Sequence, residues 1–432
     1  MKESTEILPI WFEEYRKKTV FDRAIPNIMD GQKSVQRKVL YTALKVLKNN
    51  KWMNTGAFSG TLKAEANYHH GDLSRDAAIV NMTADFKNQL PMFIGEGNFG
   101  NRFENAAAAT RYTQIKFNPE FQKYIIMNEI LKYSVQDDNE IYEPDFYFFS
   151  IPIVLINGIS GIAVGLKTDI LGYNISDIKK NIKLYLNNKT MKEMIPYFPE
   201  FKGTFKKEEN KWFQYGIIEK TSSTTFQITE IPTGFDRTKY ISILQKLKEK
   251  NIIIDYENNS AGSYNIQIKV SKKQMEYIEE KGIYDIFRLK DSLTENIKVL
   301  SPEGNKVIEF ESPNELIKCY VDYMLQYIIK YINFKKHEYS QKIDKLNYKI
   351  KFIEYILSID IRKYTMKQIK ENIIKFGVIP EEFISEFMGI SISGFTLEAI
   401  EKYKNEINEN TILFDKFSKI TAIDYYKEIL AI

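Results

Sequence analysis

The sequence predicts a multidomain α+β protein, and three observations carry that prediction. Its 432 residues exceed what one small core organises, and 44% of them are hydrophobic against 27% charged, the balance of a folded chain. Between Phe201 and Val270 the stretches TTFQITEI and SYNIQIKV alternate polar and apolar residues, the period of half-buried strands. From Asn314 to Phe376 there is neither Gly nor Pro, and Leu316, Tyr320, Met324, Ile328 and Ile332 recur at helical spacing. The 61 basic and 57 acidic residues nearly cancel, so affinity for a polyanion has to come from a local patch. A lone Cys319 excludes an internal disulfide framework and a cysteine-rich zinc site. No charged leader followed by an apolar core opens the chain, so a cytoplasmic location is expected.

Taken in order, Glu3 to Arg16 reads as a short helix with Leu8, Ile10, Trp11 and Tyr15 on one side. Pro26 and Asp30-Gly31 mark turns, and Gln32 to Asn49 is predicted as a helix. Its apolar stripe is Val35, Val39, Ala43, Val46 and Leu47, while Lys33, Arg37, Tyr41, Lys45 and Lys48 fall on another face. A basic stripe with one aromatic suits a helix laid along phosphates, as in a winged-helix module, although a solvated lysine face is the commoner meaning of such a pattern.

His69 and His70 are adjacent and so point in different directions, which argues against joint chelation of one ion. A helix is predicted from Asp72 to about Gln89, with its positive N-terminal end beside that pair. Gly95, Gly97 and Gly100 then punctuate a turn, Ala106 to Ala109 bring the chain in closely, and Arg111 and Tyr112 follow together. Asp137, Asp138 and Glu140 read better as a hydrated loop than as a cation site. NGISGIAVG (Asn157 to Gly165) lacks the spacing of a phosphate loop, and its glycines are expected to permit close backbone approach.

Asn174 to Asn188 and Lys239 to Lys250 are predicted helices, the second inside a separate α+β domain without a titratable cluster. A helix from about Pro313 to Ser358 would extend about 70 Å at 1.5 Å per residue. Leu397, Ile400, Tyr403, Ile407 and Leu413 offer its antiparallel return, with Asp360 to Ser393 as a helical cap at the far end.

Together these segments resemble the DNA breakage-reunion (A-type) subunit of type IIA topoisomerases. The family's RAxPxxxDGxKPVxRxxL pattern stands as Arg23 to Pro26, Asp30-Gly31, Lys33, Val35, Arg37 and Leu40. YHHG matches Tyr68 to Gly71, GxGNFG matches Gly95 to Gly100, AAxxRYT matches Ala107 to Thr113, and NGxxGIAxG matches Asn157 to Gly165. YHHG, EPDFYFFSIP and FPEFKGTF are more like the phage and eukaryotic members than gyrase. The chain ends after the coiled coil, without gyrase's C-terminal β-pinwheel, so relaxation or decatenation is expected over supercoil introduction.

The resemblance implies a winged-helix DNA-cleavage domain over 1–172, an α/β tower domain over 173–310, and a coiled coil with a dimerisation gate over 311–432, the gate lying at about 360–395. It implies that Tyr112 attacks a DNA phosphodiester and becomes linked to the 5′-phosphate. Arg111 is the neighbouring cation, and His70 the histidine near the scissile phosphate. Arg23, Lys33, Arg37, Lys38 and His69 are carried over as DNA contacts, and Ile162 as the wedge that bends the duplex. Ser34 stands in place of the usual proline, and Lys167, Leu171, Gly172 and Tyr173 alter the run after the wedge, which affects local contacts. Leu73 replaces the serine that anchors quinolones in bacterial members, so low quinolone sensitivity is expected.

No EGDSA, DxD or ATP-binding glycine motif is present, so Mg²⁺ and ATP are expected on a partner subunit with Toprim and ATPase domains. Double-stranded DNA and a second copy of the chain complete the expected partners. Two other readings compete: a non-catalytic winged-helix and coiled-coil DNA binder, and a rolling-circle relaxase. The adjacency of His69 and His70 argues against the second, because relaxases space two histidines around an apolar residue.

Overall fold

The computed structural model describes residues 4–66, 68, 71–135, 142–209 and 211–431. His69 and His70 and the acidic Asp137, Asp138 and Glu140 lie outside the described residues. Two compact units are present, Met1–Val321 and Asp322–Ile432.

The first unit opens with α1 (Ser4–Thr19), a single π-helical turn (Val20–Ala24) and α2 (Ser34–Val46). Helix α2 ends three residues before the predicted Asn49, because Asn49 and Asn50 both take positive φ and reverse the chain. Its buried side is Lys38, Val39, Leu40, Thr42 and Ala43, so the predicted apolar stripe is shared with a lysine.

β1 (Met53–Asn54), α3 (Thr55–Glu65), α4 (Asp72–Thr83), β2 (Phe93–Glu96) and β3 (Gln114–Phe117) follow. Helix α4 stops well short of Gln89. The Asn88 amide donates to the carbonyls of Asn81 (2.7 Å) and Ala84 (2.8 Å), satisfying acceptors that another helical turn would have used. The three strands form an antiparallel sheet in the order β1-β3-β2, with Met53 opposite Ile115 and Phe93 opposite Phe117. Beneath it the rings of Phe58, Phe93, Phe117, Phe121 and Phe149 form a chain of edge-to-face and tilted contacts at centroid separations of 5.4–6.3 Å. All five are buried, which makes this sheet a stiff platform for the loop that enters β3.

The hairpin β4 (Ile159–Ala163) and β5 (Leu166–Ile170) follows, then α5 (Ile175–Leu186). A four-stranded antiparallel sheet comes next, built from β6 (Ile217–Ser222), β7 (Thr225–Glu230), β8 (Asp255–Asn258) and β9 (Ile266–Lys269) in the order β6-β7-β9-β8, with α6 (Arg237–Glu249). The predicted alternation is realised here. Phe226, Ile228, Ile266 and Ile268 point into one core with Tyr240, Leu244 and Phe287, and Phe226 pairs with Ile268 across the sheet.

Helix α7 runs from Pro313 to Ser358, the predicted bounds, and its first turns bury Leu316, Ile317, Tyr320 and Val321 in the first unit. In the second unit its later turns meet α10 (Leu397–Lys419), which returns antiparallel: Tyr331 and Tyr339 contact Phe417, while the Lys349 ammonium sits 4.2 Å from the Tyr403 ring. Leu397 and Leu413, expected in this seam, are exposed instead. Leu397 directly follows the Thr396 cap at the start of α10 and is 85% exposed, while Leu413, one turn before Phe417, is only 37% exposed. At the far end α8 (Met366–Phe376) and α9 (Glu381–Phe387) close a small core of Phe352, Ile353, Ile369, Ile373, Ile384 and Phe387. Among the described residues, no helix is long and apolar enough to cross a membrane.

Candidate functional site

Tyr112 ends a short 3₁₀ turn, Thr110–Tyr112, that leads directly into β3. The turn is fixed from both sides. Asn54 caps α3 through its carbonyl oxygen, which accepts from Ala57 N–H at 3.1 Å. Its amide donates to the carbonyls of Arg111 (2.9 Å) and Thr113 (3.2 Å), the residues flanking Tyr112. Thr113, 1% exposed, donates its hydroxyl to Thr55 at 2.8 Å. The backbone around Tyr112 is therefore held while its side chain, 70% exposed, stands in solvent. The Arg111 guanidinium carbon lies 4.7 Å from the centroid of the Tyr112 ring. A cation over a phenol ring stays close to any charge that develops on or beside the phenol oxygen.

The glycine-rich approach to this turn is shaped by Gly97 and Gly100, both at positive φ. A side chain at Gly100 would also strike the Asn105 carbonyl at 2.7 Å. Between that loop and Tyr112, Arg102 reaches the second sheet. Its Nη2 donates to Glu230 Oε1 (2.8 Å) and to the Ile231 carbonyl (3.0 Å), and the Tyr264 hydroxyl donates to the Arg102 carbonyl (2.9 Å). No local pattern signals this link, because Arg102 and Glu230 are 128 residues apart.

The DNA-contact candidates divide into two groups. Arg23, exposed, sits in the π-helical turn. Ile162, 78% exposed, sits in β4. These two elements meet at Gly161, where an added Cβ would come within 2.0 Å of the Ala24 carbonyl, so only glycine permits the approach. The Lys33 ammonium donates to the Ser160 carbonyl at 2.6 Å, and burial lowers its pKa from the usual lysine range. Arg23, Lys33 and Ile162 are thus gathered around one contact between helix and hairpin.

Arg37 and Lys38 are engaged internally. Arg37 donates Nε to Asp30 Oδ2 (2.6 Å) and Nη2 to Asp30 Oδ1 (3.2 Å), with Asp30 fully buried. Burial works to lower the Arg37 pKa, but the Asp30 carboxylate outweighs it and the net direction is upward. Lys38, 7% exposed, donates to Glu143 (2.6 Å) and to the Ala66 carbonyl (2.9 Å). His69 and His70 lie outside the described residues and are not part of this geometry. Leu73, on the first turn of α4, is 88% exposed. Among the described residues, no group of three or more His, Cys, Asp or Glu side chains comes together to hold a metal.

A fold of this kind, with an exposed phenol on a clamped turn beside a guanidinium, has known relatives. The sequence pattern of the A-type subunit of DNA gyrase/topoisomerase IV matches residues 23–431. The chain therefore belongs to the family of DNA gyrase and topoisomerase IV A-type subunits, among the type II DNA topoisomerases. It is 32% identical over 404 residues to the DNA topoisomerase medium subunit of Enterobacteria phage T4, covering 91% of this chain and 90% of that one. It is 29% identical over 410 residues to the mitochondrial DNA topoisomerase 2 of Dictyostelium discoideum, covering 90% of this chain but only 32% of that relative. The fold is similar to the DNA-binding, cleavage and re-ligation domain of Plasmodium falciparum topoisomerase II, with a TM-score of 0.86 and 26% identity over 98% of this chain and 62% of that one.

Proposed function

We propose that the chain is the DNA cleavage and religation subunit of an ATP-dependent type IIA topoisomerase that relaxes or decatenates DNA. The observation that carries the reading is Tyr112, an exposed phenol on a backbone clamped by Asn54 with Arg111 against its ring. The Tyr112 phenol oxygen attacks phosphorus, the bond from phosphorus to the 3′-oxygen breaks, and the 3′-hydroxyl leaves with a proton. The new phosphotyrosyl ester on the 5′-phosphate keeps the bond energy, so attack by the 3′-hydroxyl reverses the step without another reagent. A free tyrosine with a pKa of about 10 is a weak nucleophile at neutral pH, and Arg111 supplies a cation for the charge of the transition state. His70 is assigned to the same phosphate by the motif alone.

Arg23, Lys33 and Ile162 form the proposed duplex contact, with Ile162 entering between base steps. Arg37 and Lys38 serve it by fixing α2 against Asp30 and Glu143, and His69 joins it on the motif. The winged-helix, tower and coiled-coil division at 172/173 and 310/311 belongs to the same proposal.

Mg²⁺ and ATP are proposed to come with a partner subunit carrying Toprim and ATPase domains. Purification with such a partner should give ATP-dependent relaxation and decatenation. A partner-loaded complex that binds duplex DNA but never cuts it would favour the non-catalytic DNA binder.

A second copy of the chain is proposed to dock on the cap of the second unit, where Ile361, Met366, Phe376, Ile392 and Leu397 are all exposed. Sedimentation at micromolar concentration should return a dimer, and a monomer would remove this part of the proposal.

A further inference from the structure

One polar chain in the first unit ties α4 to the nucleophile turn, and nothing in the mechanism above uses it. Thr110, the first residue of the turn, donates its hydroxyl to Asp76 Oδ2 at 3.0 Å. Asp76 projects from α4, and its other oxygen, Oδ1, accepts from the Ser59 hydroxyl on α3. The Ser59 oxygen accepts in turn from Arg75 Nε at 2.5 Å. Arg75 is 6% exposed, and its Nη1 lies 3.0 Å from Asp72 Oδ1, near enough to pair electrostatically but off the line of a hydrogen bond.

Donors and acceptors run in one consistent direction along this chain, from Arg75 through Ser59 to Asp76, with Thr110 closing on the second carboxylate oxygen. Hydroxyl bonds to an ionised carboxylate are about twice as strong as neutral ones. Arg75 Nε also lies 4.0 Å from Asp76 Oδ1, so the buried guanidinium pairs with the same carboxylate. The Asn54 amide fixes the backbone on both sides of Tyr112, but it touches neither Thr110 nor α4. Without the Thr110 bond the front of the turn would be held only by backbone contacts and by the Thr113 hydroxyl on the Thr110 carbonyl (3.3 Å), neither of which reaches α4.

We propose that Asp76, acting through Thr110, is a positioning residue that registers the Tyr112 turn to α4. The inference rests on the reading of Tyr112 as the nucleophile. Helix α4 follows the His69-His70 segment and starts at Asp72, so this bond sets the phenol against whatever phosphate the α4 end presents. Displacing a nucleophile by about 1 Å can cost roughly 100-fold in rate while leaving binding intact. Loss of the bond is therefore expected in the cleavage rate and not in DNA affinity.

The test uses the chain together with its Toprim-ATPase partner and measures three quantities: duplex affinity, the single-turnover rate of covalent DNA attachment, and attachment by Tyr112→Phe. Thr110→Val keeps the shape and removes the hydroxyl, and Thr110→Ser keeps the hydroxyl. Thr110 is half-buried and not among the buried core residues, so neither variant threatens the core.

Thr110→Val and Asp76→Ala should attach DNA about tenfold or more slowly, at affinity within about twofold of the parent chain. Thr110→Ser should restore the rate to within about threefold. Rates within twofold of the parent for both Thr110→Val and Asp76→Ala would overturn the inference, as would a Thr110→Ser variant as slow as Thr110→Val. Absence of covalent attachment in the parent chain would remove the Tyr112 reading itself, and the positioning role with it.

Discussion

Tyr112→Phe is expected to abolish covalent attachment to DNA, and with it relaxation and decatenation, while duplex binding stays within about twofold. The substitution removes one oxygen from a side chain that is 70% exposed and leaves the ring under Arg111 in place. Nothing in the clamp changes, because Asn54 grips the carbonyls of Arg111 and Thr113 and not the phenol. Removing a nucleophile from a site that works by covalent catalysis typically costs on the order of 10⁴-fold or more in turnover. Gel-shift affinity and denaturing-gel attachment, measured on the same preparation with the partner present, check both halves of the expectation. Reduced but measurable attachment in Tyr112→Phe would show that another group performs the chemistry.

The second large effect is on stability. Arg102→Met should destabilise the first unit by about 3–5 kcal/mol, the usual consequence of breaking a buried ion pair from one side. Arg102 and Glu230 have side chains 8% and 4% exposed, and the variant would leave the Glu230 carboxylate with only the backbone N–H groups of Lys202 and Ile231. The bond also anchors the loop between Gly100 and Tyr112 on the second sheet, with the Phe103 ring packed at a tilt 4.6 Å from that of Tyr264 beside it. Lys220→Met makes a useful contrast. Its partner Glu279 is equally exposed, both side chains at 43%, and such surface pairs contribute at most about 1 kcal/mol. Urea unfolding of the two variants should therefore differ several-fold in lost stability. Equal losses would mean that Arg102 is not the anchor that its geometry indicates.

The long helix was legible because its signal is local and repeated. Pro313–Ser358 has no breaker and an uninterrupted apolar recurrence, so its bounds follow from spacing alone. The strands around Phe226 and Ile268 were legible for the same reason at period two. Leu397 and Leu413 show the limit of such counting. Helical spacing names several faces, and only Tyr331, Tyr339 and Lys349 on the opposing helix choose the one through Tyr403 and Phe417.

At the candidate site, the ordered motifs made Arg111, Tyr112 and Ile162 conspicuous, whereas the residues that hold them were not. Asn54, Ser59, Asp76 and Thr110 are small and polar, fall in three separate segments, and acquire meaning only when the sheet and helices bring them together. Arg37 and Lys38 show the opposite limit. Their charge was visible, but Asp30 and Glu143, which neutralise it internally, could not be paired with them by spacing. An Asn one residue before a small-residue helix, as at Asn54, was the one available clue to the clamp.

Whether Tyr112 is the nucleophile is decided by trapping the complex of this chain, its partner and duplex DNA during turnover, digesting both polymers, and locating the nucleotide by mass spectrometry. The expected product is a 5′-phosphorylated nucleotide esterified to the oxygen of Tyr112. A nucleotide on any other residue, or cut DNA with both ends free of protein, would contradict it.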